Sequence, residues 1–350
     1  MSKLKDMLER ARPHFEDGGK LAPMKPVYDA MSTFMFAAPA LAKNAPFGRD
    51  ALDVKRYMFM VVIAVFPTYV ASIYLFGWRI LLLLLVSYAA GGAVEVLFAV
   101  IRREEINEGF LVTGYLFPLI LPPLVPLWTV AVGIIFGVVV GKEVFGGTGR
   151  NLFNPALVGR VFLALGYPSL MTSGWVDPAA PTADATTAAT PLVLAKAGEL
   201  TAPMDLFLGN VLGSAGETSA VAILIGGALL IATGIASWRT ILATTASFAV
   251  LTAILHGALP EQVAPVLFSL LAGGFLFGAF FMATDPVSGP VTVGGKWFYG
   301  ILIGSVTVLI RSFSGFVEGM MFAILLGNIA APLIDEAIVR SRAKRYAHGQ

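Results

Sequence analysis

Hydrophobic residues in this 350-residue chain gather into ten blocks, near 57–76, 80–101, 110–125, 127–141, 153–171, 219–237, 240–257, 264–283, 297–311 and 318–338. Each approaches the ~20 apolar residues that carry an α-helix across a hydrocarbon core of about 30 Å. The pattern predicts an all-α polytopic membrane protein with about ten transmembrane helices. Polar residues and prolines interrupt several blocks. The third holds Pro118, Pro122, Pro123 and Pro126, the fifth opens on Asn151, Asn154 and Pro155, and the eighth runs into ATDPVSGP at 283–290. Proline removes a backbone donor and breaks the helix, and non-helical backbone at membrane depth persists only where protein buries it or it lines a cavity. The breaks NLFNPALVGR (151–160) and MATDPVSGPV (282–291) come after four and eight blocks. That placement predicts two inverted five-helix repeats with broken helices around a central site.

Residues 1–56 hold ten Lys and Arg and no long apolar run, so no secretory signal is expected there. Leu4, Met7, Leu8 and Ala11 share one face of a short amphipathic helix that stops before Pro13. Its basic face suits the cytoplasmic membrane surface, a partner protein, or docking on the rest of the chain. The chain thus divides into this N-terminal segment (1–56), spans one to five (57–171), a long connecting segment (172–218), spans six to ten (219–338) and a basic tail (339–350).

Composition sharpens the picture. Residues are 57% hydrophobic and 13% charged, with mean hydropathy +0.80, about half the charge of a soluble domain. With the N-terminus inside, 20 Lys and Arg fall on the inner side, only Arg79 and Lys196 on the outer, and Arg160 and Arg311 in or at the ends of spans. This is the asymmetry of the positive-inside rule, and it places both termini in the cytoplasm. Zero cysteines exclude disulfides, thiolate nucleophiles and cysteine-ligated clusters. The three histidines (His14, His256, His348) are too scattered for a haem or zinc site, so no metal centre is expected and redox chemistry would require an organic cofactor.

On this topology, 172–218 is the one long extracytoplasmic segment. It carries Asp177, Asp184, Glu199, Asp205 and Glu217 against one lysine, with ADATTAATPL (183–192) in its middle. Composition alone reads that stretch as a Thr/Ala linker. Longer stretches carry a resemblance: PHFEDGGK (13–20), RDALDVKRYMFMV (49–61), GGAVEVLF (91–98), NEGFLVTGYLFPLILPP (107–123), GKEVFGGTGRNLFNPALVGR (141–160), GSAGETS (213–219), GGFLFGAFFMATDPVS (273–288) and EGMMFAILLGNIAAPLID (318–335). Through them the chain resembles the family of B-type membrane subunits of the Na+-translocating NADH:quinone oxidoreductases and, more distantly, the D-type membrane subunits of Rnf complexes. The block through Arg56 favours the former.

The resemblance implies flavin mononucleotide (FMN) joined by a phosphoester to the last threonine of a D-x-x-[ST]-G-A-T motif. The matching residues are Asp184, Thr187, Ala188, Ala189 and Thr190, with alanine at 188 where the family has glycine. Thr190 is the implied acceptor, Thr186 and Thr187 its nearest rivals, and a flavin transferase the implied maturation partner. The resemblance also implies a second, noncovalent flavin, riboflavin, near the cytoplasmic side. Asn151 and Asn154, three apart on one helical face, and Asp285 are its candidate ligands, although all three also suit helix caps or turns. It further implies quinone binding around Gly91, Gly92 and Glu95, and cation uptake at Glu95 and Asp335. Glu95 lies six residues before Ile101, roughly 9 Å inside the span end; intramembrane acids are costly and mark function. A carboxylate satisfied by an adjacent helix, and interfacial solvation of Asp335, are the plain structural alternatives.

The activity so implied is that of an enzyme component in the bacterial inner membrane. It would pass electrons from FMN through riboflavin to quinone, coupled to Na+ transport, with the 172–218 segment periplasmic. The chain has no NADH-binding unit and no iron–sulfur ligands, so partner subunits of the A, C, D, E and F type must deliver the electrons. No nucleic acid is expected. Two other readings stand beside it: an Rnf-type complex linking ferredoxin and NAD, and a non-redox permease or channel, which broken helices serve equally well.

Overall fold

The computed structural model describes residues 54–103, 109–175, 178, 189–316 and 318–347, together with Pro13, Phe15, Lys25 and Tyr28. The predicted N-terminal amphipathic helix over Leu4–Ala11 and the positions Asp184, Thr186, Thr187 and Ala188 lie outside the described residues.

The described residues form helices and no strands. Spans one and two are α1 (Val54–Phe76) and α2 (Arg79–Arg102), reversed around Gly77 at φ +77°. Span three is α3 (Gly109–Leu119), and span four is α4 (Leu127–Gly141) with a 3-10 turn at Glu143–Phe145. Span five divides into α5 (Pro155–Gly166) and α6 (Pro168–Ser173). Two short helices, α7 (Pro191–Lys196) and α8 (Pro203–Leu208), cross the linking segment. Then come α9 (Ala220–Ala232) and α10 (Trp238–Ala258). The eighth block is α11 (Val266–Leu271), a break, then α12 (Phe275–Phe277) winding into a π-turn at Gly278–Met282. The bundle closes with α13 (Val293–Phe313) and α14 (Met320–Ala347).

Six helices are long and apolar enough to cross a bilayer, whereas α3, α5 and α9 have 11, 12 and 13 residues. At 1.5 Å per residue these reach only about 17–20 Å, so the third, fifth, sixth and eighth blocks are not single full-length helices. For the third, fifth and eighth the prolines and asparagines already read from the sequence are the reason. The sixth is a correction: Gly234, at φ +72°, lets the chain turn back, and the N–H groups of Ile235 and Ala236 both donate to the Leu230 carbonyl, ending α9.

Packing follows one plan twice. In the first half α2 lies on α4 and α4 on α5; in the second α10 lies on α13 and α13 on α14. Across the halves α1 meets α9 and α5 meets α14. Apolar side chains gain little from leaving lipid, so close van der Waals packing must hold the helices. Glycine supplies it: a methyl on Gly304 would overlap the Thr244 carbonyl of α10, and one on Gly159 would overlap the Gly133 carbonyl of α4.

The bundle has two ends of different chemistry. One gathers Asn151, Asn154 and Asn328 and is called the asparagine end. The other gathers Arg160 and Arg311 and is called the arginine end.

Candidate functional sites at the two ends of the bundle

At the asparagine end two helix starts meet. Asn154 caps α5, its Oδ1 accepting from the N–H groups of Ala156 (3.1 Å) and Leu157 (3.4 Å), with Pro155 in the first turn. Asn328, wholly buried on α14, accepts from the Asn154 N–H at 3.3 Å; its own amide nitrogen donates to the Ser288 carbonyl (3.2 Å) and the Tyr299 hydroxyl oxygen (2.9 Å). A single side chain therefore joins the 151–155 break to the 285–288 break. Between the breaks and α1 lies an open cleft, lined by Asn151, Asn154 and Asp285 together with Tyr57, Lys142 and Thr148. The three positions proposed from sequence for a noncovalent flavin thus converge on one cavity.

Part of their hydrogen-bonding capacity is already used. Asn151 Nδ2 donates to the Phe153 carbonyl, and Asp285 accepts from the Val287 N–H at 3.0 Å and the Ser288 hydroxyl at 2.8 Å. Burial raises the Asp285 pKa, while its hydrogen bonds from Val287 and Ser288 oppose the shift. Thr148 Oγ1, buried at the cavity wall, has no partner. A polar wall with an orphaned hydroxyl fits a ligand that carries both donors and acceptors, as an isoalloxazine edge does.

The Gly91–Glu95 stretch is occupied by protein. A methyl on Gly91 would strike the Phe110 ring and Ile134, so its role is to admit α3 and α4. Both oxygens of Glu95 take hydrogen bonds from Lys142 Nζ, at 2.6 and 2.7 Å, and both side chains are buried. Next to this pair Arg102 bridges to Glu143 at 2.8 Å. Asp335 accepts from the Val291 and Thr292 N–H groups and, in a short contact, from the Thr292 hydroxyl, whose oxygen in turn caps α13 at Gly295. Its carboxylate thus ties α14 to the start of α13.

At the arginine end, buried Arg160 pairs with Glu318 in a short contact and donates to Ser214 Oγ at 3.1 Å. Glu217 accepts from the Ser214 N–H at 2.9 Å. Arg311 donates from Nη1 to the Ser269 carbonyl at 2.9 Å, exposed by the break that follows α11.

Thr190 stands on this end. It is the N-cap residue of α7, yet its side chain accepts no capping hydrogen bond, unlike Asn154, Ser219, Ser237 and Thr292 at their helices. The helix behind it is fixed: Leu192 packs against Gly273, Leu192 and Ala195 join the cluster of Leu206, Val211, Phe268 and Ala272, and Lys196 Nζ donates to the Ser314 carbonyl at 3.0 Å. Among the described residues the half-buried Thr190 side chain caps nothing, and it is held on a docked helix. That fits a side chain used as a covalent anchor.

Sequence reasoning missed Lys142, Thr148, Asn328, Glu318 and the pairing of Arg160. A lone amide within LLGNIAAP and arginines inside apolar blocks are the signals that pointed to three of them. Lys142 and Thr148 carried no such mark, since they sit in a loop already rich in polar residues.

Residues 41–344 match the NQR2, RnfD, RnfE family profile. Among relatives, the B-type subunit of the Na(+)-translocating NADH-quinone reductase of Pseudomonas aeruginosa (strain LESB58) is 42% identical over 398 aligned positions, covering 98% of both chains. The protein of the same name from Azotobacter vinelandii is 41% identical with the same coverage. That of Klebsiella pneumoniae (strain 342) is 40% identical, again over 98% of each chain. With helices, breaks and full-length similarity in agreement, the chain belongs to the NQR2, RnfD, RnfE family.

Proposed function

We propose that this chain is the B-type membrane subunit of a Na+-translocating NADH:quinone oxidoreductase, working in a multisubunit complex of the bacterial inner membrane. In this reading Thr190 holds FMN through a phosphoester, and the asparagine-end cavity holds riboflavin. When bound, the two flavins supply stepwise electron transfer toward quinone, coupled to Na+ movement. The chain's own residues bind, orient and shield them. Asn151, Asn154 and Asp285 face the inner cofactor, and Thr148 offers it an open hydroxyl. Gly91 and Gly92 shape the neighbouring α2–α3 contact. Glu95 acts on quinone or cation through its pairing with Lys142, and Asp335 acts through the α13–α14 junction. Both termini lie in the cytoplasm and 172–218 faces the periplasm. A flavin transferase loads Thr190, with Asp184 and Thr187 in its recognition motif.

One observation carries the reading: in a chain similar end to end to proteins bearing this name, the motif's final threonine has a hydroxyl that caps nothing. The relatives from Pseudomonas, Azotobacter and Klebsiella are all named for the Na(+)-translocating NADH-quinone reductase, which favours this complex over the Rnf type. Mass spectrometry of the 172–218 peptide from the native complex tests it. The expected result is the added mass of one FMN on Thr190, and loss of in-gel flavin fluorescence in Thr190→Val. A bare peptide would return the chain to the permease reading.

A further inference from the structure

The last helix runs on past the bundle. The 28 residues of α14 reach about 42 Å at 1.5 Å each, against a hydrocarbon core of about 30 Å. At the asparagine end Ile338 lies over Gly294 in the first turn of α13, and from Val339 to Lys344 every residue is exposed. The level of the membrane surface is marked beside it. Trp238 and Trp297, early in α10 and α13, meet edge-on at 5.9 Å, and the Arg239 guanidinium lies 4.9 Å from the Trp238 ring centre. Indole rings settle at the headgroup boundary. Trp297 is one turn deeper than Gly294, so that boundary crosses α14 near Asp335 and Ile338.

Beyond Pro332 one face of α14 carries Leu333, Ala337, Arg340 and Lys344, at i, i+4, i+7 and i+11. Leu333 is 71% exposed and faces lipid. Arg340 follows about 10 Å further along the axis and Lys344 about 16 Å, above the boundary on the same side. The Cα–Cβ bonds of a helix tilt toward its N-terminus, here toward the bilayer, and long basic side chains extend their reach in that direction. Arg340 pairs with Glu336 at 2.5 Å, but the two are 75% and 57% exposed; such a pair contributes little, and a membrane anion can take the carboxylate's place. Arg342, four residues past Ile338, lies on the opposite face, over α13. Along its described length the Arg340–Lys344 face has no aromatic or large aliphatic side chain above Leu333, and so no anchor of the kind a protein partner would bury. It offers two cations standing over lipid.

We propose that Arg340 and Lys344 clamp the phosphodiester headgroups of anionic phospholipids in the leaflet at the asparagine end. Basic residues just outside a transmembrane helix are drawn to anionic lipid. The clamp fixes the depth of α14, the helix that carries Asn328 and Asp335.

The experiment uses the assembled complex reconstituted in phosphatidylcholine vesicles with increasing phosphatidylglycerol. The readout is the mole fraction of phosphatidylglycerol that gives half of its effect on the unfolding temperature. Arg340→Gln and Lys344→Gln each raise that fraction about fivefold, the loss of one basic residue at an anionic surface, and together they abolish the effect. Arg340→Lys keeps it, since a point charge suffices, and Glu336→Gln lowers the fraction by freeing Arg340. Arg342→Gln, on the other face, leaves it unchanged. Equal responses in wild type and the Arg340→Gln, Lys344→Gln double variant overturn the proposal, as does an Arg342→Gln effect as large as theirs. Stabilisation in pure phosphatidylcholine by 10 mM inorganic phosphate, lost in the double variant, would make this a site for free phosphate and overturn the lipid assignment. A double variant that sheds a subunit in every vesicle would make the face a protein interface instead. Should the double variant fail to assemble, unchanged fractions in both single variants refute the clamp.

Discussion

Glu95 offers the sharpest test of what an intramembrane acid does here. Lys142 Nζ lies 2.6 and 2.7 Å from its two oxygens, and the side chains are 2% and 7% exposed for lysine and glutamate. Glu95→Gln leaves an ammonium in a dry site without its counter-charge, and Lys142→Met does the same to the carboxylate. Breaking a buried pair from one side costs about 3–5 kcal/mol, whereas replacing both partners with neutral groups is often close to neutral. Each single variant should therefore lower the unfolding temperature of the detergent-purified complex, roughly by 6–20 °C at 2–4 °C per kcal/mol. Glu95→Gln with Lys142→Met should recover most of the loss. Quinone reduction measured on the same samples separates the roles. If Glu95 acts through the pair, activity returns in the double variant. If it touches quinone or cation itself, the double variant is stable and inactive. A Glu95→Gln protein that unfolds with the wild type, and is not improved by Lys142→Met, would refute the reasoning from burial.

Three further outcomes follow from the geometry. Asn328→Leu removes bonds to Asn154, Ser288 and Tyr299; at ~0.6 kcal/mol for an average interhelical bond in a membrane the loss is about 2 kcal/mol, and riboflavin retained after gel filtration should fall with it. Asp335→Ala strips the loop before α13 of its acceptor and should cost about 1–2 kcal/mol of stability, while the Na+ concentration for half-maximal activity stays unchanged; a large shift in that concentration would instead make the carboxylate a cation ligand. Asp285 has its pKa raised above 3.8 by burial, so the native state binds the proton more tightly than the unfolded chain. Its ionisation therefore removes stability as pH rises from 3.8 through the raised native value. Asp285→Asn should flatten denaturation curves across that window, and an unchanged pH profile would sink the assignment.

Much of this architecture was legible along the chain. Block spacing located the helices, and Asn154–Pro155 and Asp285–Pro286 marked breaks that do face one cavity. The premature end of α9 was not legible, because its sequence stays apolar past Gly234 and only the left-handed turn ends it. Gly91 and Glu95 drew notice for the right reason, rarity at that depth, but their occupants are Phe110, Ile134 and Lys142. Lys142 lies 47 residues from Glu95, a separation that periodicity cannot bridge. Asn328 connects segments 174 and 40 residues away, so its importance exists only in three dimensions. The Thr/Ala stretch read as a linker by composition; its last residue instead begins a docked helix, because Pro191 starts the turn and Leu192 finds the Gly273 notch.

That docking sets how freely a group esterified to Thr190 can travel. With Leu192 seated at one end of α7 and Lys196 latched to Ser314 at the other, the mount is stationary and only the ester's own torsions remain to swing. Lengthening or shortening the chain upstream of Ala189 would then leave the spacing between the cargo and the far cavity untouched. On the proposed reading, the distance from that cargo to the asparagine-end cavity is set by the helices that hold α7.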